Sequence, residues 1–318
     1  MAEPTKTQVH IDAPLTNISI AYMNERNAFI ADKVFPIVPV DKQSDKYFIF
    51  DKSAFMRDQA KLRGEAQESA GSGYKLSNDS YYCDVWALHK DIGDQTRANT
   101  DSPLSSDRNA VQFVTHSLLL RREQLFIDAA FATGVWGTSA TPTNQWSDFV
   151  NSDPLADFET AKEAVLVGTG REANTGVLGY QVFTKLKLHP DVKEMLKYTT
   201  SRVVTEEILA GLVGLQRILV PIVVKDNNSD GATAASMAFA YGKHALICHV
   251  PSAPGIETPS AGYIFAWRGL NGAFGNAGIG FSKMRMDLKK ADRIEGEMAV
   301  DVKVTGSDLG YFFSSAVA

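Results

Sequence analysis

Residues 105–133 carry apolar side chains at helical spacing, with no proline and no glycine before Gly134. Such a segment predicts a helix of roughly 40 Å, far longer than the usual helix of about 11–12 residues. Ser105 or Ser106 can cap its start, and Gly134 can end it. The predicted apolar face comprises Phe113, Val114, Leu118, Leu120, Leu125, Ile127, Ala129 and Phe131. The predicted polar side comprises Gln112, His116 and Glu123. Taken alone, this pattern is typical of a long core helix.

The region before this helix has the pattern of a long two-stranded arm. Residues 46–51 alternate as a strand, residues 58–73 are polar and glycine-rich, and residues 81–91 return as a strand. A connection of about 30 residues between paired strands is too long for a tight turn. Because an isolated two-stranded ribbon is only marginally stable in water, we expect contacts outside the arm to stabilise it.

An apolar segment interrupted by proline precedes the arm. Residues 28–40 read AFIADKVFPIVPV, and Pro36 and Pro39 exclude a regular helix there. Each proline also removes one backbone donor from any strand pairing. Two interpretations stay open: the segment packs on its own domain, or it lies across a neighbouring subunit.

The chain after the long helix reads as mixed α/β. Residues 134–153 form a loop with two tryptophans, Trp136 and Trp146, which we expect to be exposed. Predicted helices span residues 155–167 and 189–198, and a third follows a Thr205 cap. Predicted strands are 177–183, 217–225, a pair within 236–249, 262–267, 286–304 and 309–313. Pro221 favours an edge position for the strand that contains it.

Composition limits the classes of function. The 318 residues are 44% hydrophobic and 22% charged, with a net charge of −5, which argues against a dedicated nucleic-acid-binding surface. No apolar run reaches the 18 residues of a membrane span, and the N-terminus lacks the apolar core of a secretion signal. The two cysteines, Cys83 and Cys248, match no metal or redox spacing. We therefore expect synthesis in a reducing cytoplasm.

Three short motifs are candidates for a ligand site. Residues 168–173 fit G-x-G-x-x-A, but that fingerprint binds a pyrophosphate only between a strand and a helix, and here a helical segment precedes it. Residues 226–231 begin like a calcium loop, yet Met237 stands where the closing glutamate belongs, so a plain turn is expected. His244, Cys248 and His249 share one strand, which can supply at most two of four zinc ligands. We predict no catalytic residue, no metal and no cofactor.

The order of elements resembles that of tailed-bacteriophage major capsid proteins with the Hong Kong 97-type fold. The resemblance lies in residues 28–40, in the strand at 46–51, and in residues 176–191, a strand leading into a short helix. It extends over nearly the whole chain.

The resemblance implies an α+β capsid fold with five regions. These are an N-terminal arm (1–40), an E-loop formed by an extended β-hairpin (41–100), a peripheral domain (101–167) whose spine helix is 105–133, an α/β axial domain (168–285), and C-terminal strands (286–318) that complete the peripheral domain and return to the axial domain. Copies would assemble as hexamers and pentamers into an icosahedral shell around double-stranded DNA, in a virion.

The implied partners are other copies of the chain, a scaffolding protein, a portal and a decoration protein, with non-specific contact to packaged DNA and none to a membrane. We expect inter-subunit contacts at Phe35, Ile37, Val38, Tyr47, Phe48, Phe50, Leu62, Arg63 and Trp86. The alternative functions are a soluble α/β oxidoreductase and another virion component, such as a decoration or tail-tube protein.

Overall fold

The computed structural model describes residues 29–99, 105–197, 203–228, 236–255, 258–270 and 278–318. The helices in these ranges are α1 Ala31–Val34, α2 Lys52–Met56, α3 Asp94–Ala98, α4 Ser106–Ala130, α5 Pro154–Thr169, α6 Tyr180–Leu188, α7 Pro190–Leu196 and α8 Glu206–Leu212. The strands are β1 Ile37–Val40, β2 Ser44–Phe50, β3 Leu76–Tyr82, β4 Asp84–Gly93, β5 Thr138–Ala140, β6 Thr175–Leu178, β7 Arg217–Leu219, β8 Val224–Asp226, β9 Met237–Phe239, β10 Ala245–Cys248, β11 Gly262–Trp267, β12 Ile279–Met286, β13 Ala291–Val304 and β14 Gly310–Phe313. Residues 1–28 of the predicted N-terminal arm lie outside the described ranges.

The long helix α4 forms where the sequence predicts it. The Ser105 hydroxyl accepts a hydrogen bond from the Arg108 amide at the first turn. The helix ends at Ala130, three residues earlier than predicted, and its 25 residues span about 37 Å. The Trp136 indole donates to the freed carbonyl of Ala130 at 2.7 Å, which satisfies one acceptor at the helix end.

The buried face of α4 differs from the predicted one. Its buried residues are Ala110, Val111, Val114, Thr115, Leu118, Leu119, Arg122, Glu123, Phe126 and Ala130. Phe113, predicted inside, is 53% exposed, and Glu123, predicted on the polar side, is fully buried. The predicted positions Val114 and Leu118 are buried, and Leu120, Leu125, Ile127 and Phe131 pack against the core, so the prediction was wrong only at Phe113 and Glu123. Glu123 is buried because it finds hydrogen-bond donors on segments that are distant in sequence, which helical spacing cannot show.

A first sheet is built around the 14-residue strand β13. Its order is β1-β11-β13-β12, and β4 also pairs with β13. Proline 39 is tolerated because β1 is an edge strand, paired in parallel with β11 on one side alone. Alternate residues of the sheet face opposite ways: Ile264 enters the core beneath α4, whereas Phe265 enters a smaller cluster on the opposite face.

A second sheet separates two hydrophobic cores. Its order is β5-β14-β10-β6-β7. Leu246 and Phe312 belong to the core shared with α4, whereas Ile247 and Phe313 belong to the core beneath α5–α8. Strand β7 is an edge strand, but Pro221 lies between β7 and β8 and belongs to neither, so the predicted edge strand containing this proline does not form.

The two tryptophans of the 134–153 loop are buried, so the prediction that they are exposed was wrong. Trp146 stacks on Phe158 with ring centroids 5.3 Å apart, and its indole donates to Asp157 at 2.7 Å. Trp136 packs in the core shared with α4. Turn residues around a tryptophan predict a loop, but they do not show whether a core lies beneath that loop.

Several boundaries also differ from the prediction. The arm is the antiparallel pair β2–β3, in register from Ser44↔Tyr82 to Phe50↔Leu76. Residues 81–91 are strand almost throughout, as predicted, but the prediction that they all pair within the arm was wrong, because β4 leaves the arm after Cys83 and pairs with β13. The predicted strand 177–183 ends at Leu178, and α6 begins directly after Gly179. The predicted strand 217–225 is two short strands separated by residues 220–223.

Candidate inter-subunit surface

The distal half of the arm exposes apolar side chains. Phe48 is 67% exposed, and Phe50, Phe55 and Tyr74 form an aromatic cluster with ring centroids 5.5–6.1 Å apart. At the tip, Leu62 is completely exposed and is flanked by exposed Lys61 and Arg63. A contiguous exposed apolar surface of this kind usually marks an interaction site. The predicted contacts Phe48, Phe50, Leu62 and Arg63 therefore lie exposed on the surface of one chain.

The base of the arm, in contrast, packs on its own chain. Tyr81 stacks on Phe265 with ring centroids 4.6 Å apart, and Tyr47 lies 5.6 Å from the same ring. The Tyr47 hydroxyl donates to Asp79 at 2.9 Å, which together with burial raises the tyrosine pKa. Val38 packs against this cluster from β1. The first sheet thus supports the base of the arm, and this packing fixes the direction in which the arm extends from the sheet.

Ile37 and Trp86 are half-buried against the core beneath α4. The Arg121 guanidinium lies over the Trp86 ring at 3.9 Å, a cation–π distance. Each of these two side chains keeps some accessible surface, so a contact with another copy stays a prediction for both.

Phe35 must be removed from the predicted inter-subunit contacts. Its side chain is completely buried and packs edge-to-face on Phe126 of α4, with ring centroids 4.9 Å apart. Of the two interpretations of residues 28–40, the described part packs on its own domain.

Buried polar groups hold this N-terminal segment on α4. The Glu123 carboxylate accepts hydrogen bonds from the amides of Ile30 and Ala31, both at 3.0 Å, and from the Tyr241 hydroxyl. Those amides open α1, where helix geometry leaves them without a partner. Burial raises the pKa of Glu123, although the three hydrogen bonds act in the opposite direction. The neighbouring Arg122 pairs with Asp32 at 3.1 Å.

A contact also ties the arm to the second half of the chain. The Lys52 ammonium donates to the carbonyl of Gly168 at 3.2 Å and pairs with Asp308. The Met56 methyl lies near Gly170, at the same end of α5. This contact positions α2 at the C-terminal end of α5.

Sequence reasoning missed an ion network at one end of the first sheet. Arg285 pairs with Asp94 at 2.6 Å and with Asp292 at 3.0 Å, and Arg97 pairs with Asp292 at 2.7 Å. Next to it, Arg293 pairs with Asp91 and lowers the aspartate pKa to about 2. The alternation of charges in 283–297 is a signal for this surface, but the partners on 91–97 are far away in sequence.

The short motifs are accounted for by structure. Gly170 has a φ of +67° and ends α5, so residues 168–173 lie at a helix C-terminus, where no amides point at a phosphate. The Asp226 carboxylate accepts hydrogen bonds from the amides of Asn228 and Ser236, and residues 229–231 of the predicted turn lie outside the described part of the chain. Burial raises the pKa of the Cys248 thiol to about 12. Within the described part of the chain, no cluster of His, Cys, Asp and Glu is arranged for a metal, and no helix is long and apolar enough to cross a membrane.

No family model matches the chain. Two curated relatives match over most of its length. The major capsid protein of Burkholderia phage BcepMu is 27% identical over 81% of this chain and 84% of that protein. The major capsid protein of Pseudomonas phage JBD67 is 28% identical over 97% of both chains. Because both relatives are major capsid proteins, they argue against the oxidoreductase, decoration-protein and tail-tube alternatives.

Solved structures share the fold. A phage-related protein from Bordetella bronchiseptica superposes with a TM-score of 0.75 at 21% identity, covering 97% of this chain and 98% of that one. The capsid protein of bacteriophage PhiM1 has a TM-score of 0.58 at 13% identity, covering 91% and 87%. The chain is therefore similar over most of its length to two phage major capsid proteins, and it shares the Hong Kong 97-type fold of solved phage capsids.

Proposed function

We propose that copies of this chain form hexamers and pentamers that close an icosahedral shell around double-stranded DNA. The observation that carries the proposal is the apolar surface of the distal arm, which its own chain leaves uncovered. Five side chains contribute: Phe48, Phe50, Phe55, Tyr74 and Leu76. If another copy covers roughly 80 Å² of each on average, the gross gain is on the order of 10 kcal/mol, before the costs of association.

The same proposal assigns the regions of the chain. Residues 1–40 are the N-terminal arm, and the E-loop is the hairpin within 41–100 whose paired strands are β2 and β3. The long helix α4 is the spine of the peripheral domain. Residues 168–285 are the proposed axial domain, except that β11 and β12 pair in the first sheet beside β13. The C-terminal strands 286–318 serve both, because β13 is central to the first sheet and β14 lies in the second. Contacts between copies are proposed at Ile37, Val38, Tyr47, Phe48, Phe50, Leu62, Arg63 and Trp86.

The proposed partners beyond other copies are a scaffolding protein, a portal and a decoration protein. Contact with packaged DNA is non-specific in this proposal. A net charge of −5 supports it, because tight phosphate binding needs clustered Lys and Arg, which would hold the genome to the shell.

The test compares the full chain with a variant that lacks residues 58–72. We expect the full chain to form megadalton shells or capsomers in sedimentation and negative-stain electron microscopy. The deletion should leave both cores folded, since every residue in 61–73 is exposed, yet prevent closed shells. A matched control replaces residues 58–72 by a Gly-Ser segment of equal length, which keeps the reach of the arm but removes its side chains. Closed particles of normal size from the deletion would contradict the role of the arm.

A further inference from the structure

A groove of about 430 Å³ lies between α5, α7 and α8. Its apolar surface includes Leu155 and Met195, and Met195 is about half exposed. Four carboxylates surround that surface: Asp153, Glu159, Asp191 and Glu194. The groove therefore combines an apolar floor with a negative rim.

The rim is only partly neutralised by its own chain. Among the described residues, Glu159 pairs with Lys162 at 2.7 Å, and Asp191 lies 3.5 Å from the buried His189 ring. Asp153 caps α5 by accepting the Ala156 amide at 3.0 Å. The exposed Glu194 enters no ion pair of the described structure. A ligand for this groove should thus carry positive charge beside an apolar group.

Three consecutive residues at the tip of the arm have that chemistry, and the exposed carboxylates of Asp58, Glu65 and Glu68 lie on either side of them in sequence. Leu62 is fully exposed and lies between Lys61 and Arg63, both exposed. The Arg63 Nε donates to the carbonyl of Gln67 at 2.6 Å, which holds the arginine at the tip and leaves its terminal nitrogens available. An exposed leucine between two cations complements an apolar floor surrounded by carboxylates.

We propose that this groove receives Lys61, Leu62 and Arg63 from the arm of a second copy of the chain. The inference rests on the proposed assembly and names the contact that joins neighbouring subunits. In one chain the tip does not occupy its own groove, because Leu62 is free of contacts. The arm is tied by Lys52 to the C-terminal end of α5, whereas the groove lies at the N-terminal end, about 20 Å away along the helix.

The contact is heterologous, since the tip and the groove are different surfaces of one chain. A heterologous contact repeated between identical copies generates a closed ring when its rotation closes. In a hexamer or pentamer, the tip of each subunit would therefore occupy the groove of one neighbour, and its own groove would receive the tip of the other neighbour.

The first experiment reverses charges on each side. K61E/R63E and E159K/E194K should each lower the yield of closed shells at least about tenfold, because like charges then face one another. The combination of all four substitutions should restore the yield. The control E163K changes an exposed glutamate of α5 outside the groove and should assemble like the unmodified chain. Unchanged yields from both reversed variants, or no rescue by the combination, would overturn the contact. Failure of the unmodified chain to assemble would instead refute the proposed function.

The second experiment does not depend on charge. Leu62→Cys and Met195→Cys are introduced on separate chains, which are mixed, assembled and oxidised; the native Cys83 and Cys248 are buried. A disulfide forms only when the two Cα atoms approach within about 7 Å. We expect linked dimers from the mixture and a ladder of linked chains when both cysteines are on one chain. Absence of linked chains in assembled shells, or only internally linked monomers from the double variant, would refute the proposal.

Discussion

Replacing Glu123 tests whether a buried carboxylate holds the N-terminal segment on the spine helix. Glu123→Leu keeps a side chain of similar size but removes all three acceptor contacts. The amides of Ile30 and Ala31 and the Tyr241 hydroxyl would then be buried without their acceptor. Glu123→Gln is the matched control, since it keeps one oxygen and loses the charge.

The expected loss of stability follows from the number of buried hydrogen-bond donors that lose their acceptor. Each buried donor that loses its partner costs about 1–3 kcal/mol. Three donors give a sum of roughly 3–9 kcal/mol, from which the avoided cost of burying a carboxylate is subtracted. We expect Glu123→Leu to lower the free energy of unfolding by about 3–5 kcal/mol and Glu123→Gln by about 1–3 kcal/mol.

The assay is chemical denaturation of unassembled subunits, together with limited proteolysis near Lys33. Loss of the acceptor should speed cleavage there, because α1 is released before the remainder unfolds. A cycle with Tyr241→Phe isolates the coupling between the two side chains, which we expect to exceed 1 kcal/mol. Glu123→Leu within about 0.5 kcal/mol of the unmodified chain, with unchanged cleavage, would refute the reasoning.

The pH dependence of the same pair has a defined sign. Because the folded pKa of Glu123 is raised above its ordinary value of 4.5, its contribution is fully present below pH 4.5 and is lost as pH rises through the folded pKa. The stability difference between the unmodified chain and Glu123→Gln should therefore shrink as pH rises above about 4.5. A difference that grows over that range in denaturation curves would contradict the assignment.

Three further outcomes are expected. Gly262→Ala should lower the free energy of unfolding by about 1–3 kcal/mol, because an added Cβ would lie 2.4 Å from the Phe35 ring and 2.6 Å from the carbonyl of Lys303. A thermal denaturation scan measures this, and an unchanged midpoint would contradict it. Trp146→Ala should cost about 3–5 kcal/mol by leaving a cavity beside Phe158, measured by denaturation. The Asp91 carboxylate has a lowered pKa, so its contribution to folding stability is present above about pH 3.8 and is lost as pH falls through about 2. The difference in thermal midpoint between the unmodified chain and R293Q should therefore vanish over that pH range. A constant difference would refute the pairing of Asp91 with Arg293.

Caps and spacing predicted local elements well. Ser105 caps α4 and Thr205 caps α8, both at positions that the sequence indicates. A side-chain cap acts within three residues of its own position, so the sequence near it contains the whole interaction. Gly170, which ends α5 in a left-handed conformation, was not singled out in the sequence, and the predicted helix ended at residue 167.

The candidate surface was predictable where exposure follows from local polarity. The polar, glycine-rich tip around Leu62 and Arg63 is exposed, as residues without a nearby apolar partner must be. Phe35 was assigned to the same surface and is instead a core residue. An apolar stretch indicates that its side chains are buried, but it does not show whether they are buried by the same chain or by another copy.

The amino-acid sequence alone determined the long helix, the presence of an arm, and an order of elements sufficient to indicate a capsid subunit. Tertiary structure decided the face that α4 buries, the strand that β4 joins and the ion network on the first sheet. Those features join residues far apart in the chain: Ile30 and Glu123 are separated by 93 positions, and Asp94 and Arg285 by 191. Helix caps and turns depend on neighbours, whereas burial and strand pairing depend on which distant segments meet, and only the folded chain specifies those meetings.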